Sequence, residues 1–163
     1  MWAEYARIEA KYAIPIGDSL PVEAAAAFIV NPFSSYALMH RARELRATVV
    51  VQNAGASQVC RGTLALGKRL SIPTISLVRK QSQVDEIVSL GGEAFVQDAK
   101  GEYLGALRDR LAREKRAAFL DAVGGKQSAE IMTCLPSTST TIVYGFLADS
   151  SKDPVGTYAM RSL

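Results

Sequence analysis

The chain is poor in metal-binding and cross-linking side chains: two cysteines, Cys60 and Cys134, and a single histidine, His40, in 163 residues. No Cys-x-x-Cys pair or histidine-rich cluster can be assembled from them, which leaves no ligand set for a structural zinc ion. Two cysteines far apart in sequence do not suggest the disulfide framework of a small secreted scaffold. No apolar run is long enough to cross a bilayer. A block of one charge is missing too. The 19 Lys and Arg and 16 Asp and Glu are scattered, for a net charge of +3, and the densest basic stretch, Arg108 to Arg116, is interrupted by Asp109 and Glu114. Nucleic acid as the main partner is therefore disfavoured, whereas a small molecule carrying phosphate remains compatible. The opening residues, Met1 to Ala13, hold Glu4, Arg7, Glu9 and Lys11, and lack the uninterrupted apolar segment of a secretory signal. What remains, 48% hydrophobic and 21% charged residues without repeats or low-complexity tracts, describes a globular domain with a core of its own.

The first thirty residues are irregular. Trp2 to Ile8 reads as a short strand, Tyr12 to Ile16 as an extended piece held out of helix by Pro15, and Ala24 to Ala27 as part of a short helix. Asn31 and Pro32 are a cap and first-turn pair that start a helix running to about Leu45. From there strands and helices alternate. Strands are expected at Thr48 to Gln52, Thr74 to Val78, Ala94 to Val96, Ala117 to Asp121 and Thr140 to Tyr144. Helices are expected at about Ser57 to Leu70, Gln83 to Leu90, Gly101 to Arg113 and Ser128 to Leu135, with inward faces built on Val59, Thr63, Gly67 and Leu70, on Val84, Ile87 and Val88, and on Leu104, Leu107 and Leu111. Strands that are continuous apolar runs, joined through helices, predict a parallel sheet covered on both faces: an α/β protein of the doubly wound, Rossmann type. The polar stretch after Leu147 reads as a tail leading into further elements, and the strand-like start as the remnant of something upstream.

In such a sheet ligands sit beyond the carboxyl ends of the strands. The first such end, Asn53-Ala54-Gly55-Ala56-Ser57-Gln58-Val59, is a run of small residues opening a helix. Backbone amides at a helix start can face a diphosphate, and small side chains let the backbone approach it. Asn53, Gly55, Ala56, Ser57, Gln58 and Val59 are thus candidate cofactor-binding residues, although the G-x-G-x-x-G pattern is absent. The second strand ends in Arg79 and Lys80, where an NAD-preferring site would carry a carboxylate for the ribose 2′-hydroxyl. An arginine there suits a 2′-phosphate, so NADPH is the expected cofactor. Gly124, Tyr144 and Gly145 end the fourth and fifth strands on the same rim and are candidates for the nicotinamide end. His40 reads as structural or exposed, Cys60 as packed, and Asp121 as a hydrogen-bonding residue rather than an acid.

Together these residues resemble the cofactor-binding domain of the medium-chain dehydrogenase/reductase superfamily, and within it the 2-enoyl thioester reductases. The likeness is carried by Val51 to Val59, by Ala25-Ala26-Ala27 with Asn31-Pro32 and Ser35-Tyr36, by Ser76 to Arg79, by Leu120 to Gly125 with Val143-Tyr144-Gly145, and by Trp2 to Tyr5. The resemblance implies zinc-independent reduction of a 2-enoyl thioester by NADPH, as in fatty acid metabolism, with the acyl thioester as the small-molecule partner and a homodimer as the assembly. It implies three segments: residues 1–31 as the end of a GroES-like catalytic domain with the junction, 32–148 as the NADP(H)-binding domain, and 149–163 as a polar tail. On this reading the chain is truncated at both ends relative to the two-domain family. The proton donor would lie upstream, so no catalytic residue is expected in this chain. A eukaryotic source would make it mitochondrial, any other cytoplasmic. Two positions depart from the family pattern: Gln58 and Cys60 stand where it has glycine, which predicts weaker cofactor binding. Competing expectations are a quinone oxidoreductase and a degenerate module that has lost catalysis.

Overall fold

The computed structural model describes residues 4–98 and 100–148. Met1 to Ala3 and the tail expected over 149–163 lie outside the described residues. In chain order the elements are α1 (Val22–Ala26), α2 (Asn31–Glu44), β1 (Val49–Gln52), α3 (Gln58–Leu70), β2 (Thr74–Val78), α4 (Gln81–Ser89), β3 (Glu93–Val96), α5 (Glu102–Leu111), β4 (Ala117–Asp121), α6 (Gly125–Met132) and β5 (Thr140–Val143). Among the described residues all strand pairs are parallel and the order is β3-β2-β1-β4-β5. The chain walks outward from β1 to β3, crosses back through α5, and continues on the far side of β1 with β4 and β5. The gap beyond the carboxyl ends of β1 and β4 is therefore the switch point of a doubly wound sheet, where ligands bind in this architecture.

Burial follows position in the sheet. Every residue of β1, β2 and β4 is buried, as the apolar runs Val49-Val50-Val51 and Ala117 to Leu120 demand, while β3 and β5 at the edges are only partly covered. One face of the sheet packs Val49, Val51, Ile75, Leu77 and Phe119 against Tyr103, Leu107 and Leu111 of α5 and Ile131 of α6. The other packs Val50, Ala118 and Leu120 against Leu38, Met39 and Ala42 of α2, with Leu64 of α3, Val78 and Ile87 of α4 forming an adjoining cluster. Helices α2 and α3 approach closely because Gly62 has no side chain: a methyl there would collide with Ser35 Oγ, which bonds the Val59 carbonyl at 2.9 Å.

Several local expectations are corrected. Residues 4–8 form no strand; Tyr5 and Ile8 are exposed, no neighbouring strand pairs with them, and a single 3-10 turn follows at Ala10–Tyr12. Asn31 does not cap α2 but is its first residue, after Val30. On α3 Thr63 and Gly67 are buried as expected, joined by Cys60 and Leu64, while Val59 and Leu70 are only half-buried. On α4 only Ile87 is buried and Val88 is exposed, because this nine-residue helix covers the edge of the sheet. Helix α6 starts at Gly125 rather than Ser128, with Ser128 inside it and fully buried. Among the described residues no helix is long and apolar enough to cross a membrane.

Candidate functional site

Strand β1 ends in two buried amides with different tasks. Gln52 Nε2 donates to Ser76 Oγ (2.9 Å) and to the Cys60 carbonyl (3.0 Å), tying the strand to β2 and to the start of α3. Asn53 turns the other way: its Nδ2 donates to Asp121 Oδ1 at 2.6 Å and its Oδ1 accepts from the Ala122 amide at 2.7 Å. After Asn53 the chain must leave the sheet and start a helix within a few residues. Ala54 takes a left-handed conformation (φ 49°), and Gly55 then passes so near β2 that its amide bonds the Leu77 carbonyl at 2.9 Å. A methyl on Gly55 would lie 2.7 Å from Ser76 Cβ and 3.0 Å from the Leu77 oxygen, so only glycine permits this approach. Ser57 caps α3, its hydroxyl accepting from the Cys60 amide at 3.3 Å. The amides of Gln58 and Val59, in the first turn, are left without an intrahelical acceptor.

On one side of this loop, β2 ends at Arg79 and Lys80, both exposed. The Gln83 Oε1 accepts from the Arg79 amide (3.1 Å) and the Lys80 amide (3.2 Å) and so fixes the turn into α4. On the other side, β4 ends at Asp121, which has no exposed surface. Its Oδ1 accepts from Asn53 Nδ2, from Ser128 Oγ (2.7 Å) and from the amides of Val123 and Gly124 (2.9 Å each). Burial alone would raise this carboxyl, but the Gly124 amide, Asn53, Ser128 and the Val123 amide outweigh it and hold Asp121 below the usual carboxylate range. This is the structural hydrogen-bonding part expected of it, and it locks the β1 and β4 loops together.

Between the two sides lies a cleft of about 430 Å³. Its walls are the loop from Ala54 to Ser57, the end of β2 from Leu77 to Arg79, and Gln83, Gln97, Val123, Gln127 and Leu147. Among these lining residues Arg79 alone is charged. The expected site residues divide accordingly. Gly55, Ala56, Ser57 and Arg79 meet in the cleft. Asn53 lies beneath it, and Gly124 is buried in the β4 turn, leaving Val123 to line that side. The Gln58 side chain is exposed and turned to a second hollow between α2 and α3, which it shares with Asn31, Tyr36 and Arg61; it does not plug the first. Val59 is half-buried and packs toward α2. Gly145 lies against Ala122, and Tyr144 directs its hydroxyl to Cys60 Sγ at 3.7 Å, behind the loop. Burial, then the neighbouring thiol, raises the Tyr144 phenol well above its ordinary value. Burial likewise raises the Cys60 thiol, against the Ser57 and Tyr144 hydroxyls; its Sγ reaches the Asn53 carbonyl at 3.3 Å. Cys60 is packed, with no exposed area.

Three amides of the cleft were not marked by the sequence. Gln97, just past β3, is set by its own amide bonding the Val78 carbonyl (2.7 Å), and its Nε2 is buried. Gln83 and Gln127 stand at the starts of α4 and α6. No motif accompanies any of the three, and an uncharged amide on a polar helix start carries no signal. His40 is exposed on α2, 3.6 Å from Glu44. Among the described residues no three His, Cys, Asp or Glu side chains converge as a metal site. The cleft presents amides and one guanidinium, with no carboxylate among its lining residues: a surface for an anionic, hydrogen-bond-accepting ligand.

No family model matches the chain. It is 28% identical over 166 residues to the mitochondrial enoyl-[acyl-carrier-protein] reductase of Homo sapiens, an alignment covering 94% of this chain and 42% of that protein. Among solved structures, one from Mesorhizobium loti assigned as an NADPH:quinone reductase is 30% identical, with a TM-score of 0.77 over 82% of this chain and 39% of the other. A mutant of Etr1p in complex with NADP and crotonyl-CoA is 23% identical, with a TM-score of 0.65 over 79% of this chain and 38% of the other, a likeness of fold. The chain thus spans about two fifths of the length of the proteins it matches. In fold and in relatives it is similar to the cofactor-binding domain of the medium-chain dehydrogenases/reductases, as the sequence resemblance implied.

Proposed function

We propose that this chain, similar along most of its length to the cofactor-binding half of the zinc-independent enoyl reductases, binds NADP(H) as part of an oxidoreductase that reduces 2-enoyl thioesters. The observation that carries the reading is the cleft at the switch point, which the close-packed loop at Gly55 and Arg79 line together. The residues fit the cofactor. The tight passage of Gly55 along β2 brings the loop backbone to the cleft wall, and the helix start behind it favours a diphosphate. Arg79 offers forked, charge-assisted hydrogen bonds to a 2′-phosphate. Bound nicotinamide would supply the hydride. The chain's own residues bind and orient: Asp121, through Asn53 and the Gly124 amide, fixes the relative position of the two loops that hold the ligand. Gln58 and Cys60 need not prevent this, since the first turns away from the cleft and the second is accommodated between α3 and β1.

The test is a calorimetric titration of the chain with NADPH and NADH. NADPH should bind saturably and more tightly than NADH, and Arg79→Ala should weaken NADPH at least about tenfold while changing NADH little. Binding of neither nucleotide would overturn the reading for this chain, and equal losses of both would remove the 2′-phosphate role. Quinone reduction is the second reading, favoured by the 30% identity to the Mesorhizobium loti protein. Both readings share the cofactor.

A further inference from the structure

We infer that Gln83 decides which ribose the cleft accepts: its carboxamide holds the Arg79-Lys80 turn while keeping negative charge away from the 2′ position of a bound adenosine. The inference rests on the nucleotide reading above.

Gln83 stands at the third position of α4 and grips the turn that precedes the helix. Its side-chain oxygen accepts from the amides of Arg79 and Lys80, and its own amide donates to the Lys80 carbonyl at 3.1 Å. Both cations are exposed and long, so where they can reach depends on how firmly their backbone is held. Gln83 also lines the cleft with Arg79, which brings it near whatever the guanidinium binds. Capping does not by itself require glutamine. A glutamate would accept the same two amides by charge-assisted bonds and would favour a helix start electrostatically. It would also place an anion beside Arg79. There a carboxylate could accept hydrogen bonds from a ribose diol but would repel a phosphate. The neutral amide keeps the clamp and omits the repulsion, so Gln83 acts as a positioning residue for Arg79 and as a specificity determinant for the 2′-phosphate.

The two roles separate in a pair of variants of the full 163-residue chain, titrated with NADPH and NADH by calorimetry and melted in parallel. Gln83→Glu should weaken NADPH about tenfold, the effect of one added charge a few ångströms from the phosphate, with NADH unchanged or tighter and the melting temperature no lower than in the wild type. Gln83→Ala, which drops the clamp without adding charge, should weaken NADPH about threefold and melt lower. A residue that merely caps the helix would behave otherwise: Gln83→Glu would match the wild type on both nucleotides and only Gln83→Ala would be impaired, which overturns the inference. Equal weakening of NADPH and NADH by Gln83→Glu overturns it too, while a wild-type preference for NADPH leaves the nucleotide reading in place. Failure of the wild-type chain to bind either nucleotide overturns both.

Discussion

Replacing Asp121 with Asn keeps the side chain's shape and removes its charge, which isolates what the carboxylate does. In the native protein its Oδ1 accepts from Asn53 Nδ2 at 2.6 Å, from Ser128 Oγ at 2.7 Å and from the Val123 and Gly124 amides at 2.9 Å. Hydrogen bonds to a charged group contribute about 1.5–3 kcal/mol each. Four on one oxygen do not add, and a neutral carboxamide retains part of them, so the net loss should be about 3 kcal/mol. For a chain of this size that is a fall of about 9 °C in melting temperature at neutral pH. The acid limb gives an independent check. Asp121 titrates lower in the folded chain than in the unfolded one, so its contribution is complete above the unfolded value, about pH 4, and is lost as pH falls through the folded value. Melting curves followed by circular dichroism from pH 7 downward should therefore show a wide gap between wild type and Asp121→Asn that narrows below about pH 4. A variant melting within about 2 °C of the wild type at pH 7, or a gap that stays constant into acid, would refute the assignment of Asp121 as the charged anchor of the two loops.

Two further outcomes follow from the loop itself. Gly55→Ala forces a methyl to within 2.7 Å of Ser76 Cβ and 3.0 Å of the Leu77 carbonyl, so the loop must lift from β2. The expected cost is about 1–3 kcal/mol, with NADPH affinity falling in parallel; unchanged melting and unchanged titration would show that the approach to β2 is not essential. Cys60 has no exposed area and a thiol raised chiefly by burial, so iodoacetamide at pH 8 should leave it unmodified in the native chain and alkylate it fully after unfolding in guanidinium. Peptide mapping by mass spectrometry reads this directly, and rapid labelling of native Cys60 would contradict the packed environment.

The elements legible in the sequence were those whose pattern is dictated by burial on both faces. The bounds of β2 and β4 coincide with the expected strands because each is an apolar run ending at a polar residue or a turn, and the central strands are buried throughout. The stretch Trp2 to Ile8 had strand-like composition, but its described part has no neighbour to pair with, and composition alone does not make a strand. The start of α6 differs from the expected one by three residues because Gly124 and Gly125, both at positive φ, read as a strand-ending turn, whereas Asp121 accepts from the Gly124 amide and the Ser128 hydroxyl and so draws the turn directly into the helix. The same distinction runs through the cleft. Gly55, Ser57 and Arg79 could be placed there by their chemistry at strand ends. Gln58 could not be separated from them by reading the loop, since a single residue's advance past the Ser57 cap turns its side chain to the other side of α3. Gln83, Gln97 and Gln127 enter the cleft from three different helix and strand ends, which only the topology brings together.

The arrangement of charge around the switch point has a direction. The nearest buried carboxylate, Asp121, faces inward onto Asn53, Ser128 and the turn amides, so its negative charge is taken up beneath the floor. The polar side chains lining the cleft above are Ser57, the three glutamines Gln83, Gln97 and Gln127, and Arg79. Of these side chains, Gln83 is held by the Arg79 and Lys80 amides, while the exposed Arg79 side chain would become ordered on binding an anion. A ligand lacking negative charge would gain apolar contact with Leu77, Val78, Val123 and Leu147 and neutral hydrogen bonds, but no pairing with Arg79. On the proposed reading, affinity should rise with the number of phosphate groups and fall with added salt, and the salt slope for NADPH should exceed that for NADH if the 2′-phosphate pairs with Arg79. Equal slopes for the two nucleotides would mean that the guanidinium does not contact the bound phosphate, whatever its place on the rim.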